Sequence, residues 1–329
     1  MLSRKYAFLT SLLLSFIYSV FLFALYTVPV DNSYITATFM EFRSTGNIPH
    51  FHSGIDFSTF LEEGIPVKAV EDGYLVRLEI DEGGIYGKTL VLQHADGYRT
   101  LYAHLSKFSE KLDKLVSMMN EEFGNQRVVV EIYSDEYKFQ RGEVIGYSGS
   151  TGEATKPHAH FEVRSSDEKF FYDPLKFIDK NLLRPVSMNI LLKSVRIEGK
   201  EYPFVENGVY YFSERYPKIS IEAYTELAKN LLGVKEIKVY FSENLVYHII
   251  LDEVPEEYWN KPYEVYDEEG TIMTGLIYRG FYKLYNNKNV SFVKENKIES
   301  QTGNLYNVRI EITDEFGNNG VFRFTLQRR

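Results

Sequence analysis

Hydrophobic and polar positions change rhythm three times along the chain. Residues 6–30 form an uncharged run of mostly Leu, Phe, Ile, Val and Ala, long enough to cross a hydrocarbon core of about 30 Å as a helix. No polar face recurs in it at helical spacing, so a buried core helix does not fit. Arg4 and Lys5 precede the run and would keep that end in the cytoplasm, exporting the remainder. An uncleaved signal anchor is favoured over a cleaved signal peptide, because Leu22-Phe23-Ala24 places a large residue where cleavage wants a small one.

From 35 to about 178 the rhythm becomes short runs, such as 73–78 and 89–94, parted by Gly-containing turns, which predicts strands. Two pieces, 64–78 and 141–149, share a loosely similar strand, Gly turn and strand, suggesting a duplicated half-barrel. Between them, 109–123 sets Leu112, Leu115, Met118 and Met119 on one stripe and predicts a packing helix. Pro185 marks a break at 183–187. Beyond it alternation returns at 218–223 and 236–241, and the runs 308–313 and 321–326 flank a stretch ending in Asn319-Gly320, a hairpin signal. Several such strands predict a β-sandwich. The expected division is an anchor at 1–30, a first domain at 31–183 with a helical insertion at about 109–124, and a β domain at 187–329.

Composition narrows the chemistry. Aromatic residues make up 16% of the 329 positions, a share that suits sheets more than helical bundles. A net charge of −9 argues against a nucleic-acid partner, which would require a basic face. The chain has no Cys, which removes disulfide scaffolds, thiol catalysis and thiolate metal sites. Any transition metal must then be held by His and carboxylate. Six of the seven His lie between 50 and 160, and His248 is the outlier.

Three clusters carry those His: His52-Ser53-Gly54-Ile55-Asp56 preceded by His50, then Tyr102-Ala103-His104, then His158-Ala159-His160-Phe161-Glu162. Strand alternation places His158, His160 and Glu162 on one face. Adjacent imidazoles suit a metal that keeps them neutral. A catalytic zinc takes three protein ligands from His and carboxylate, and His52, Asp56 and one of His158 or His160 would supply them. No H-E-x-x-H is present, so no Glu stands ready as the usual zincin base.

The ordered set His52-x-Gly54-x-Asp56, Tyr102-Ala103-His104 and His158-x-His160 resembles the lysostaphin/LytM-type zinc endopeptidases, metallopeptidase family 23, over roughly 35–178. The likeness extends to Gly64-Ile65-Pro66-Val67-Lys68-Ala69, Gly142-Glu143-Val144-Ile145-Gly146, Ser148-Gly149-Ser150-Thr151-Gly152 and Asp173-Pro174-Leu175. Lys156 and Ala159 depart from its usual Gly and Leu. The resemblance implies one Zn2+ held by His52, Asp56 and His160, with His104 and His158 as the catalytic pair. It also implies a mainly β fold, a duplicated-hybrid-motif antiparallel β half-barrel followed by an immunoglobulin-like β-sandwich. The implied substrate is the peptide part of bacterial peptidoglycan, hydrolysed at the periplasmic or outer face of the membrane by a protein tethered through its N-terminal helix. The segment 109–140 resembles one in membrane-anchored, two-domain members and is expected to rim the groove.

Two other classes compete. A catalytically silent homologue that activates another wall hydrolase would typically lack a ligand, and none is missing here. A sugar-permease phosphocarrier domain shares the half-barrel and paired His, but needs no Asp56 and would not follow an export signal. The C-terminal β domain offers a possible surface for a protein partner. His94 and His248 read as structural, the latter without a carboxylate nearby in sequence. His50 reads as a surface residue, Glu162 as a support for an imidazole or an ion-pair partner, and Trp259 as loop packing.

Overall fold

The structure, a computed structural model, describes residues 25–44, 48–124, 126–274, 277–287 and 290–329. The expected anchor falls largely on 1–24, outside the described residues; among those described, no helix is long and apolar enough to cross a membrane. Residues 26–30, expected to finish the apolar helix, pack into the folded part instead. Tyr26 bridges Ile178 in parallel, the Thr27 N–H donates to Val70 O, and Val28 and Val30 are buried.

One large antiparallel sheet carries the first part of the chain. Its strands run Ile35–Ala37, Ile55–Ser58, His158–Ser165, Tyr98–Ala103, Gly87–His94, Gly73–Asp81 and Val128–Glu131 across the sheet. Gly87–His94 is buried along most of its length on both faces, as befits an inner strand. A three-stranded sheet of Pro66–Lys68, Val144–Tyr147 and Lys107–Phe108 sits beside it. Its first two strands come from the two pieces with similar sequence, and they pair directly with each other.

The insertion forms a 3-10 turn at Glu110–Leu112 and an α-helix at Asp113–Phe123. Eleven residues are marginal as an isolated helix. Burial of Leu112, Leu115 and Met119, about 1.5–3 kcal/mol for each such side chain, therefore holds it. Met118, expected on the same stripe, is exposed. The following strand, Val128–Glu131, adds an edge at the far side of the large sheet.

The C-terminal part builds two large sheets and a small two-stranded ladder. One holds Lys200–Pro203, Met188–Ile197, Ile219–Leu227 and Asn230–Leu232, with Phe281–Lys283 also pairing to Ile219–Leu227. The other runs Gly208–Phe212, Asn319–Arg328, Leu305–Thr313, Glu236–Phe241, Asn244–Ile250 and Val293–Asn296, its first pair parallel. Alternation in Glu236–Phe241 turns Ile237, Val239 and Phe241 inward, where they share one cluster with Val195, Ile197 and Ile221 of the first sheet. Phe204 meets Phe322 edge-on at 5.6 Å between the two. The hairpin closes Thr313 on Asn319 through a turn made by Asp314, whose carboxylate accepts the Phe316 and Asn318 N–H groups, and by left-handed Gly317. Asn319-Gly320, the expected turn, already lies in the strand.

The two parts are not separated by solvent. Phe170–Tyr172 pairs with both His158–Ser165 and Glu253–Pro255, which continues the first sheet into the second part. Lys235 reaches the fully buried carboxylate of Asp173 at 2.5 Å. The same hydrophobic cluster spans both.

Candidate metal centre

Strand register brings the three His clusters together. In the antiparallel pairing of Ile55–Ser58 with His158–Ser165, Asp56 lies opposite His160. On its other side His160 faces Ala103, so His104 follows at the end of the same ladder. Gly54 is what lets the first loop approach. A Cβ there would sit 2.3 Å from Phe161 O and 2.8 Å from Glu162 Cγ, so any side chain would push the two segments apart.

Among the described residues, His52, Asp56 and His160 form a group of three with ligand atoms all within 4.8 Å of one another. Asp56 Oδ1 is 3.1 Å from His52 Nε2 and 2.9 Å from His160 Nδ1, and those two nitrogens are 3.1 Å apart. Four-coordinate zinc with bonds of about 2.0 Å needs donor separations of roughly 3.3 Å, so the group fits with a small opening.

Each imidazole is held by its other nitrogen. His52 Nδ1 lies 2.8 Å from Thr38 O; a carbonyl only accepts, so that nitrogen carries the proton and Nε2 keeps its lone pair. His160 Nε2 donates to Glu162 Oε1 at 2.8 Å, which turns Nδ1 to the cluster. Carboxylate support of this kind fixes the tautomer and raises ligand basicity. Glu162 is fully buried; it also accepts from Ser53 Oγ and from Arg164 Nε at 2.6 Å. Of the two expected alternatives for Glu162, both hold at once.

The electrostatics follow from burial and charge. Burial opposes ionisation of Asp56, but His52, His158 and the bonds from His160 outweigh it and hold the carboxyl well below its ordinary range. Burial also opposes charge on Glu162, and Arg164 with His160 again prevails. His52 is lowered, chiefly by burial. His160 is pushed up to about 9: burial works against the imidazolium, and the bonds to Asp56 and Glu162 override it. In the metal-free protein it therefore keeps the proton that a metal must displace from Nδ1.

His104 and His158 stand beside the group, their rings 4.7 Å apart. His104 Nδ1 donates to Thr151 O at 2.9 Å, and His158 Nδ1 donates to Lys156 O at 2.8 Å. Each thus leaves Nε2 available, and that of His158 is 3.6 Å from Asp56 Oδ1. His104 has φ 59, a left-handed backbone uncommon outside glycine. Burial, then His158 and His160, hold its pKa well below the ordinary value.

The five residues line a groove of about 540 Å³. Contrary to expectation, no described residue of 109–140 borders it. The opposite wall comes from the C-terminal part: Asn230 and Leu231 of its first sheet, Trp259 after the 3-10 turn Glu256–Tyr258, and Met273 and Tyr278 of a two-stranded ladder, Ile272–Thr274 with Ile277–Arg279. His50, expected at the surface, is buried and stacked on Trp259 with ring centroids 4.7 Å apart. Trp259 is therefore a groove residue as well as a packing one. His94 lies apart, bonded to Asp72 O and Thr100 Oγ1. His248 does have a carboxylate, Glu236 at 2.7 Å across two strands.

Sequence reasoning missed Arg43, Glu41 and Tyr86. Arg43 bridges Glu41 at 2.8 Å and Asp56 at 3.9 Å. Tyr86 Oη meets Ser53 Oγ and Arg164 beside the Glu162 carboxylate. No spacing rule could have found them, since each touches the cluster only through the fold.

Known proteins resemble this part of the chain. Over 113 residues it is 39% identical to the DD-carboxypeptidase/endopeptidase Mpg of Neisseria meningitidis, an alignment covering 34% of this chain and 20% of the relative. Over 131 residues it is 34% identical to the glycyl-glycine endopeptidase ALE-1 of Staphylococcus capitis, covering 39% and 29%. Over 140 residues it is 33% identical to the peptidoglycan DD-endopeptidase ShyB of Vibrio cholerae, covering 41% and 26%. The chain thus spans less than a third of the length of each. Residues 50–120 match the family model for Peptidase family M23, and with these relatives they show that the chain carries a domain of that peptidase family.

Proposed function

We propose that this protein is a zinc-dependent endopeptidase that hydrolyses peptide bonds in the stem or cross-link peptides of bacterial peptidoglycan. The observation that carries the reading is the convergence of His52, Asp56 and His160 with two further imidazoles, His104 and His158, at one side. Relatives named as peptidoglycan or glycyl-glycine endopeptidases support the substrate class.

The three donors would hold one Zn2+. When bound, the ion supplies Lewis-acid polarisation of a carbonyl and acidifies the attacking water. Everything else falls to the chain. Glu162 and Thr38 O hold the ligand rings in their tautomers. His104, kept neutral at physiological pH with its Nε2 lone pair open, takes the water proton and returns it to the leaving amine. His158, its Nδ1–H spent on Lys156 O, would serve the oxygen on which charge develops only with a proton on Nε2 as well, which that nitrogen then donates. The groove wall from the C-terminal part orients the peptide.

The wider organisation belongs to the same proposal. The N-terminal apolar segment acts as a membrane anchor and the folded part works outside the inner membrane. The protein divides near 183–187 into a peptidase domain and a C-terminal domain of immunoglobulin-like type, whose outer face is open to a protein partner. Incubating purified peptidoglycan with the protein before and after chelation, then restoring zinc, tests the chemistry. Peptide release should vanish and return; release unaffected by chelation would refute it.

A further inference from the structure

Asp56 uses only one oxygen toward the imidazoles. Oδ1 faces His52, His160 and His158, while Oδ2 faces Arg43 at 3.9 Å. That distance is an ion pair rather than a hydrogen bond. Arg43 is in turn held by Glu41 Oε2 at 2.8 Å and by Phe42 O at 3.2 Å. With two carboxylates on it, Arg43 has no unmatched charge to offer a substrate. Its geometry instead keeps Oδ2 turned away from the cluster.

Glu41 is the second link. It is buried, and its Oε1 accepts the Thr38 N–H, the Thr38 hydroxyl and the Gly233 N–H, at 2.7, 2.7 and 2.9 Å. Thr38 O is the acceptor that orients His52. One carboxylate thus anchors the supports of two candidate ligands, and one of its donors, Gly233, comes from the link between Asn230–Leu232 and Glu236–Phe241 in the C-terminal part. The approach there is tight: a Cβ on Gly233 would lie 2.7 Å from Thr38 Oγ1 and 2.9 Å from Glu41 Cγ.

We infer that Arg43 is a positioning residue for Asp56, and that the C-terminal part holds it in place through the contact of Gly233 with Glu41. The inference rests on the metal reading of His52, Asp56 and His160. The C-terminal part is then a structural component of the metal centre rather than an appended module.

The test measures metal affinity by chelator competition, the Co2+ absorption spectrum and the unfolding midpoint on the 329-residue chain. Arg43→Gln should weaken metal binding by about 10–100-fold, the usual scale for losing support around a ligand, and alter the Co2+ spectrum. Arg43→Lys should recover part of the affinity, since an ammonium keeps the charge but cannot bridge two carboxylates as a guanidinium fork does. Gly233→Ala should weaken binding in the same sense. Combined with Arg43→Gln it should do less than the sum of the two single effects, because the branch to Asp56 is shared while that through Thr38 to His52 is not. Arg43→Gln reads the inference even where Gly233→Ala compromises folding. Unchanged affinity and spectra in Arg43→Gln, with only a lowered midpoint, would overturn the inference while leaving the metal reading intact. Failure of the unaltered chain to bind metal would overturn both.

Discussion

Asp56 and His160 sit directly across an antiparallel strand pair, Oδ1 and Nδ1 2.9 Å apart, although 104 positions separate them in sequence. Replacing either by Ala should remove the bound metal and abolish peptide release while leaving the fold intact. Loss of one polar side chain at a groove opens no large apolar cavity, so circular dichroism should be unchanged. Retained hydrolysis in Asp56→Ala would contradict the assignment.

His104 tests the division between holding and reacting. It faces the cluster without belonging to it, so His104→Ala should keep the metal stoichiometry. Hydrolysis should fall by about 10²–10⁴, the range for losing a general base. Metal lost together with activity would place His104 among the ligands instead.

Metal binding should depend on pH in a defined direction. His160, at about 9 in the metal-free fold, lies above its unfolded value of about 6.5. Its protonated bridge stabilises the metal-free fold fully below about 6.5, and that contribution fades as pH rises through 9. Zinc must displace this proton, so affinity should climb about tenfold per unit toward pH 9 and then level. His52 is lowered and adds no second proton at neutral pH. Weakly buffered titration at pH 7.5 should release about one proton from His160 per metal bound; none released would contradict the bridge.

Gly54→Ala should be costly because the intruding Cβ meets backbone, at 2.3 Å from Phe161 O, and backbone cannot rotate aside. Overpacking of this kind costs about 1–3 kcal/mol, here toward the upper end, and metal affinity should fall with it. Denaturant unfolding and a metal titration of the same sample read both effects. A neutral result would show that the loop can shift without disturbing Asp56.

The candidate ligands were legible because their chemistry is local. The spacing from His52 to Asp56 and the alternation of His158, His160 and Glu162 are pattern facts, and strand register brings them together. The groove wall was not legible. Trp259, Tyr278 and Leu231 reach the site only because the C-terminal sheets share a core with the first, as in the Glu41 contact to Gly233 across 192 positions. Hydropathy misled at 26–30, where an apolar run that suits a membrane equally suits the core that buries Tyr26, Val28 and Val30. His248 looked unpartnered for a similar reason: Glu236 is twelve residues away in sequence and adjacent across the ladder.

The central claim is tested most directly by metal analysis of the purified protein together with mass spectrometry of the fragments it releases from peptidoglycan. One zinc per chain and new peptide termini, both absent in His160→Ala, are the predicted result. Fragments cut only in the glycan, or peptide cleavage undiminished in the metal-stripped protein, would contradict it.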